Sequence, residues 1–127
     1  MTSPDHFSVS SDPSPGVVTV VVTGEVDLDT APAVRDELLR QLHQGATVHL
    51  DLGDVTFMDS SGLHVLLATT RRASLVGAEL RLVRMSARVH RLLELTGSEA
   101  VLQQGADPVG IPSQTADRSD GGQLAQS

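Results

Sequence analysis

Residues Val17–Thr23 read VVTVVVT, and a run so dense in β-branched side chains is far better suited to a pleated strand than to a helix. The turn-rich SDPSPG before it makes Phe7–Ser10 and Val17–Thr23 a predicted hairpin, with Gly24 ending the second strand. Beyond that point the chain alternates between the two regular periods. Thr30-Ala31-Pro32 opens a helix, with Thr30 at the cap and the proline harmless in the first turn. Val34, Leu38 and Leu42 then recur every fourth residue, with Leu39 beside them, until Gly45 stops the segment. Thr47–Leu52 sets Val48, Leu50 and Leu52 against Thr47, His49 and Asp51, a strand with one buried and one wet face. Asp59-Ser60-Ser61 supplies capping residues for a second helix carrying Leu63, Leu66, Leu67 and Thr70 on one side, closed by Gly77. Leu80–Val83 is a further strand. Ser86 caps a last helix with Val89, Leu92 and Leu93 inward and Gly97 at its end, and Ala100–Leu102 is expected as a final short strand. The order β-β-α-β-α-β-α predicts a single compact α/β domain, a mixed sheet covered mainly on one face by helices.

The 127 residues suffice for one domain, placed at 1–104. From Gly105 the chain is Gly, Pro, Ser, Gln and Asp with hardly an aliphatic side chain, so 105–127 is expected to be a disordered tail. With no cysteine, disulfides, thiolate catalysis and cysteine-based zinc sites are excluded together. The N-terminal MTSPDHFSVSSD has neither a basic start nor an apolar run, and Val17–Val22 is far too short to span a bilayer. The expectation is a cytoplasmic protein without membrane insertion. A net charge of −7 and only two aromatics, Phe7 and Phe57, argue against direct nucleic-acid binding. The charge is uneven. Gly24–Asp59 holds eight acids against Arg35 and Arg40, whereas Ser60–Glu99 holds six arginines against Glu79, Glu94 and Glu99. An acidic face suited to a basic partner is one reading of that asymmetry.

Enzyme signatures are missing. There is no Gly-x-Ser-x-Gly elbow, Walker loop, dinucleotide glycine fingerprint or HExxH. The five histidines (His6, His43, His49, His64, His90) fall one to an element. His49 with Asp51 makes only a two-ligand pair on a strand face, and Asp27-x-Asp29 near Asp59 reads as caps and dipole partners before a helix. No catalytic residue, metal or cofactor is expected. Ser60 and Ser61 are more informative. Asp-Ser-Ser-Gly before an apolar run is ordinary capping chemistry, yet a helix N-terminus is also a place where a phosphate is locally well held. A phosphate adds about −1.5 to −2 charges, here beside Asp59 in the acidic half. Spacing does not choose between Ser60 and Ser61.

The segments GEVDLDTAPAVRDEL, VHLDLGDVTFMDSSGLHVLL and GAELRLVRMSARVHRLLELTG together resemble the anti-sigma factor antagonist family, the STAS domain. The opening Gly24-Glu25-Val26-Asp27 and the centre Phe57–Leu63 carry the likeness, which spans residues 7–102. It implies that Ser60 is the phospho-acceptor and that Glu25, Asp27, Asp59, Ser60, Ser61, Gly62 and His64 form a partner surface. It further implies an anti-sigma factor with serine kinase activity as partner, and a phosphatase that resets the switch. His64 departs from the family's small residue, Ala87 from a proline, and Ser98 from an aliphatic residue. The alternative within the same fold is a regulatory subunit docking on a membrane transporter or signalling scaffold. A serine hydrolase or nucleotide-binding enzyme lacks both a histidine at partner spacing and a phosphate loop.

Overall fold

The computed structural model describes residues 6–100 and 102. A hairpin of β1 (Ser8–Ser14) and β2 (Val17–Val26) is followed by α1 (Ala31–Gln41), β3 (Thr47–Met58), α2 (Ser60–Val76), β4 (Glu79–Met85) and α3 (Ala87–Thr96). The sheet order is β1-β2-β3-β4, antiparallel between β1 and β2 and parallel in the other two pairings. Parallel neighbours need a long crossover, and α1 and α2 supply the two.

The expected elements are present with altered bounds. β1 runs to Ser14, because Pro13 sits on an edge strand whose other side pairs with no strand among the described residues, while Pro15 lies in the turn. Gly24 does not end β2. It takes φ of +87°, the ladder to β3 shifts register between Gly24 and Glu25, and the strand continues to Val26 as a bulge. β3 likewise continues past Leu52 to Met58, burying Val55 and Met58. Gly53 is what breaks the strand pattern there. The Arg84 guanidinium lies across its Cα, where a Cβ would collide with it.

Val20, Val22 and Val26 of β2 and Val48, Leu50 and Leu52 of β3 point to one side. They form a single core with Val34 and Leu38 of α1, Val65 and Leu66 of α2, and Val89 and Leu93 of α3. The intervening Thr19, Val21, His49 and Asp51 stay half-buried on the other face. Leu38 is fully buried, and removal of such a side chain from water is worth about 1.5–3 kcal/mol. The buried face of α2 is turned from the expected one. Leu66 and Thr70 are buried as anticipated, but Val65, Thr69 and Ala73 join them and Leu63 and Leu67 move to half-buried flanks. The expected face counted Thr70 but passed over Val65, Ala73 and Thr69. The Thr69 hydroxyl donates to the Val65 carbonyl at 2.7 Å and leaves nothing unpaired.

Ala100 and Leu102, expected in a last strand, are helical instead. Glu99 and Ala100 are in a helical turn, and the Leu102 N–H donates to the Ser98 carbonyl at 3.1 Å. After the left-handed Gly97 cap the chain folds back on itself, and Leu102 enters the core beside Leu50, Leu66 and Leu80. One helical turn brings it there; an edge strand beside β4 would not. The expected tail, 105–127, lies outside the described residues. Among the described residues no helix is long and apolar enough to cross a membrane.

Candidate functional site

Two parallel neighbours, β2 and β3, end side by side, with Glu25 opposite Phe57 and Val26 opposite Met58. Each is followed by a turn into a helix, so the two helix starts meet at one edge, the usual crevice beyond the carboxyl ends of parallel strands. The Asp59 N–H donates to the Val26 carbonyl at 3.2 Å and ties the two turns together.

The first turn is built by Asp27. Its Oδ1 accepts the N–H of Asp29 at 3.0 Å and of Thr30 at 3.1 Å. Thr30 occupies the expected cap position, yet its hydroxyl does not cap α1. It accepts the Asp27 N–H at 2.9 Å and donates to the Glu25 carbonyl at 2.8 Å. The result is a self-contained turn that leaves Leu28 standing out, 76 % exposed.

The second turn is built by Asp59, which caps α2 as the sequence suggests. One carboxylate oxygen accepts the N–H of Ser61 at 2.8 Å and of Gly62 at 3.4 Å, while the Leu63 N–H donates to the Asp59 carbonyl at 3.1 Å. Gly62 is buried, and a Cβ there would stand 2.6 Å from Met58 Cγ and 2.9 Å from Val26 Cγ1. The start of α2 is thereby pressed onto the ends of β2 and β3. On that rigid frame Ser60, the first helical residue, is exposed, Ser61 is half-buried, and His64 is exposed one turn later.

Between the starts of α1 and α2 lies an open groove of ≈ 450 Å³. Ala31, Pro32 and Val65 give it an apolar lining; Leu28, Arg35, Ser60 and His64 line it as well. Of the residues singled out from the sequence, Asp27, Asp59 and Gly62 therefore shape the turns, Ser60 and His64 are displayed, and Glu25 and Ser61 are half-buried between them. Leu28 and Arg35 were not anticipated. Leu28 carried a signal, an aliphatic residue alone between Asp27 and Asp29; Arg35 carried none, being one more charge on a helix surface. His49 and Asp51 lie elsewhere, on the half-exposed sheet face, where Asp51 pairs with Arg84 at 3.1 Å and accepts the Gly53 N–H.

The fold recurs in known proteins. A family model described as the STAS domain matches residues 9–108. The solved structure of an anti-sigma factor antagonist from Mycobacterium paratuberculosis superposes with a TM-score of 0.66 at 26 % identity, covering 80 % of this chain and 86 % of that one. The structure of the Bacillus cell fate determinant SpoIIAA in the phosphorylated form shares the fold, with a TM-score of 0.57 at 21 % identity over 86 % of this chain and 91 % of that one. An anti-sigma-B factor antagonist of Bacillus subtilis (strain 168) is 34 % identical over 93 residues, 73 % of this chain and 85 % of its own. The chain belongs to the anti-sigma factor antagonist family of STAS domains.

Proposed function

We propose that this protein is a cytoplasmic partner switch whose state is written on Ser60. In the unphosphorylated form it binds an anti-sigma factor that is also a serine kinase, and that binding releases a sigma factor for transcription. The kinase then moves the γ-phosphoryl group of ATP to Ser60 Oγ. The new O–P bond forms as the bond to the leaving ADP breaks, and the hydroxyl proton passes to a base of the kinase. The complex separates, and a phosphatase hydrolyses the phosphoserine to begin again. The chain itself supplies a surface and an acceptor, with no catalytic residue of its own. Glu25, Asp27, Asp59, Ser60, Ser61, Gly62 and His64 belong to that surface, Gly62 through the turn it makes possible.

The observation that carries this reading is the exposure of Ser60 at the first residue of a firmly seated helix, with Ser61 half-buried behind it. Its hydroxyl is open to a partner, and charge added there alters the surface while the core lies beneath. Incubation with the cognate kinase and ATP is expected to add one phosphate, mapped to Ser60 by mass spectrometry. Ser60→Ala should abolish labelling and Ser61→Ala should leave much of it. Phosphate on Ser61, or on Ser113, would overturn the assignment.

A further inference from the structure

A phosphate on Ser60 would enter a surface whose obvious donors are taken. The N–H groups of Ser61 and Gly62 already point at the Asp59 carboxylate, and that of Leu63 at the Asp59 carbonyl. The helix start is therefore a poor receptor, and Asp59 would repel the newcomer. The groove offers an alternative. Arg35 of α1 lines it together with Ser60, and its one ion-pair partner among the described residues is the adjacent Asp36 at 3.3 Å. Both side chains of that pair are more than half exposed, at 52 % and 63 %, and such surface pairs contribute only about 0–1 kcal/mol. Arg35 is free to exchange a carboxylate for a phosphate, which matches its planar fork better and carries more charge. His64 lines the same groove and sits four residues after Ser60 on α2, the spacing that stacks two side chains on one helix face. An imidazole offers an N–H donor in either tautomer and in either charge state.

We infer that Arg35 and His64 form an intramolecular phosphoserine clamp: once Ser60 is phosphorylated, the guanidinium and the imidazole reach it across the groove between α1 and α2. The inference rests on the reading of Ser60 as acceptor. The clamp gives the modified state a structure of its own. The phosphate draws Arg35 over a groove lined by Ala31, Pro32 and Val65, so a partner loses access to apolar surface as well as meeting like charge.

The test installs phosphoserine at position 60 by genetic encoding, so its outcome does not depend on which serine a kinase selects. Unfolding equilibria are measured for the Ser60 and phosphoserine-60 forms in the wild-type, Arg35→Gln, Arg35→Lys and His64→Ala backgrounds. Phosphorylation should be at least about fivefold more favourable to the folded state in the wild type than in Arg35→Gln, with His64→Ala intermediate and Arg35→Lys restoring part of the coupling. The Arg35 Nε resonance should shift on phosphorylation in the wild type. An effect of phosphorylation that agrees within twofold across all four backgrounds would overturn the clamp. That failure is distinct from failure of the acceptor assignment, which appears only when a kinase chooses the site.

Discussion

Gly62 shows how little freedom a single position in the site retains. A methyl group there would come within 2.6 Å of Met58 Cγ and 2.9 Å of Val26 Cγ1. The methionine can swing aside but the valine is packed into β2, so Gly62→Ala should destabilise the fold by about 1–3 kcal/mol in denaturant melts. Leu28 should behave in the opposite way. It is 76 % exposed, so Leu28→Ser should leave the melt unchanged while weakening the anti-sigma factor complex about tenfold in titration calorimetry. Glu37 on α1 offers a pH test. The Ser11 hydroxyl foremost, with Gln41 and Arg40, holds its carboxyl below the ordinary glutamate range, against the opposing effect of partial burial. A lowered folded-state value means that this contribution is complete above about pH 4.3, the ordinary glutamate value, and is lost as pH falls through the folded value. Ser11→Ala should therefore cost about 1 kcal/mol at neutral pH, and the gap between its melts and those of the wild type should close as acid protonates Glu37.

At the scale of elements, the cap of α2 separates geometry from charge. Asp59→Ala removes the acceptor of two N–H groups and should cost about 0.5–2 kcal/mol, whereas Asp59→Asn keeps an acceptor and should stay near wild-type stability by circular dichroism. The seven main elements were legible because most carry a regular apolar period and end near a cap or a glycine. The errors arose where one residue obeyed tertiary rather than local rules. Gly24 reads as a stop yet makes a bulge, and β3 runs on past Leu52 through Gly53, which makes room for Arg84. Thr69 falls outside the expected face of α2, yet it lies inside with its hydroxyl on the Val65 carbonyl. Ala100–Leu102 has strand-like composition, but Leu102 is needed in the core one turn after Gly97. The site was legible in the same uneven way. Asp27 and Asp59 have local jobs that the capping pattern suggests, whereas Gly62 entered only through the family resemblance and its role is a tertiary contact. The openness of Ser60 relative to Ser61, and the approach of Arg35, depend on how α1 lies against α2.

Taken as a whole molecule, the domain displays its exposed signalling side chains outside the core that folds it. The core joins three helices to the inner face of the sheet, while Leu28, Arg35, Ser60 and His64 lie outside it at the meeting of two helix starts. A phosphate on Ser60 should therefore leave folding almost untouched, shifting stability by no more than about 1 kcal/mol, the scale of a surface charge at a helix end. In the partner's interface the same two charges must be desolvated or set against like charge, which costs several kcal/mol. The most direct measurement titrates the purified anti-sigma factor with the unmodified and the Ser60-phosphorylated protein, with a thermal melt of each. The account expects an affinity loss of roughly a thousandfold, about 4 kcal/mol, with the two melts nearly superimposed. Equal affinities, or a phosphorylated domain that has unfolded, would contradict it.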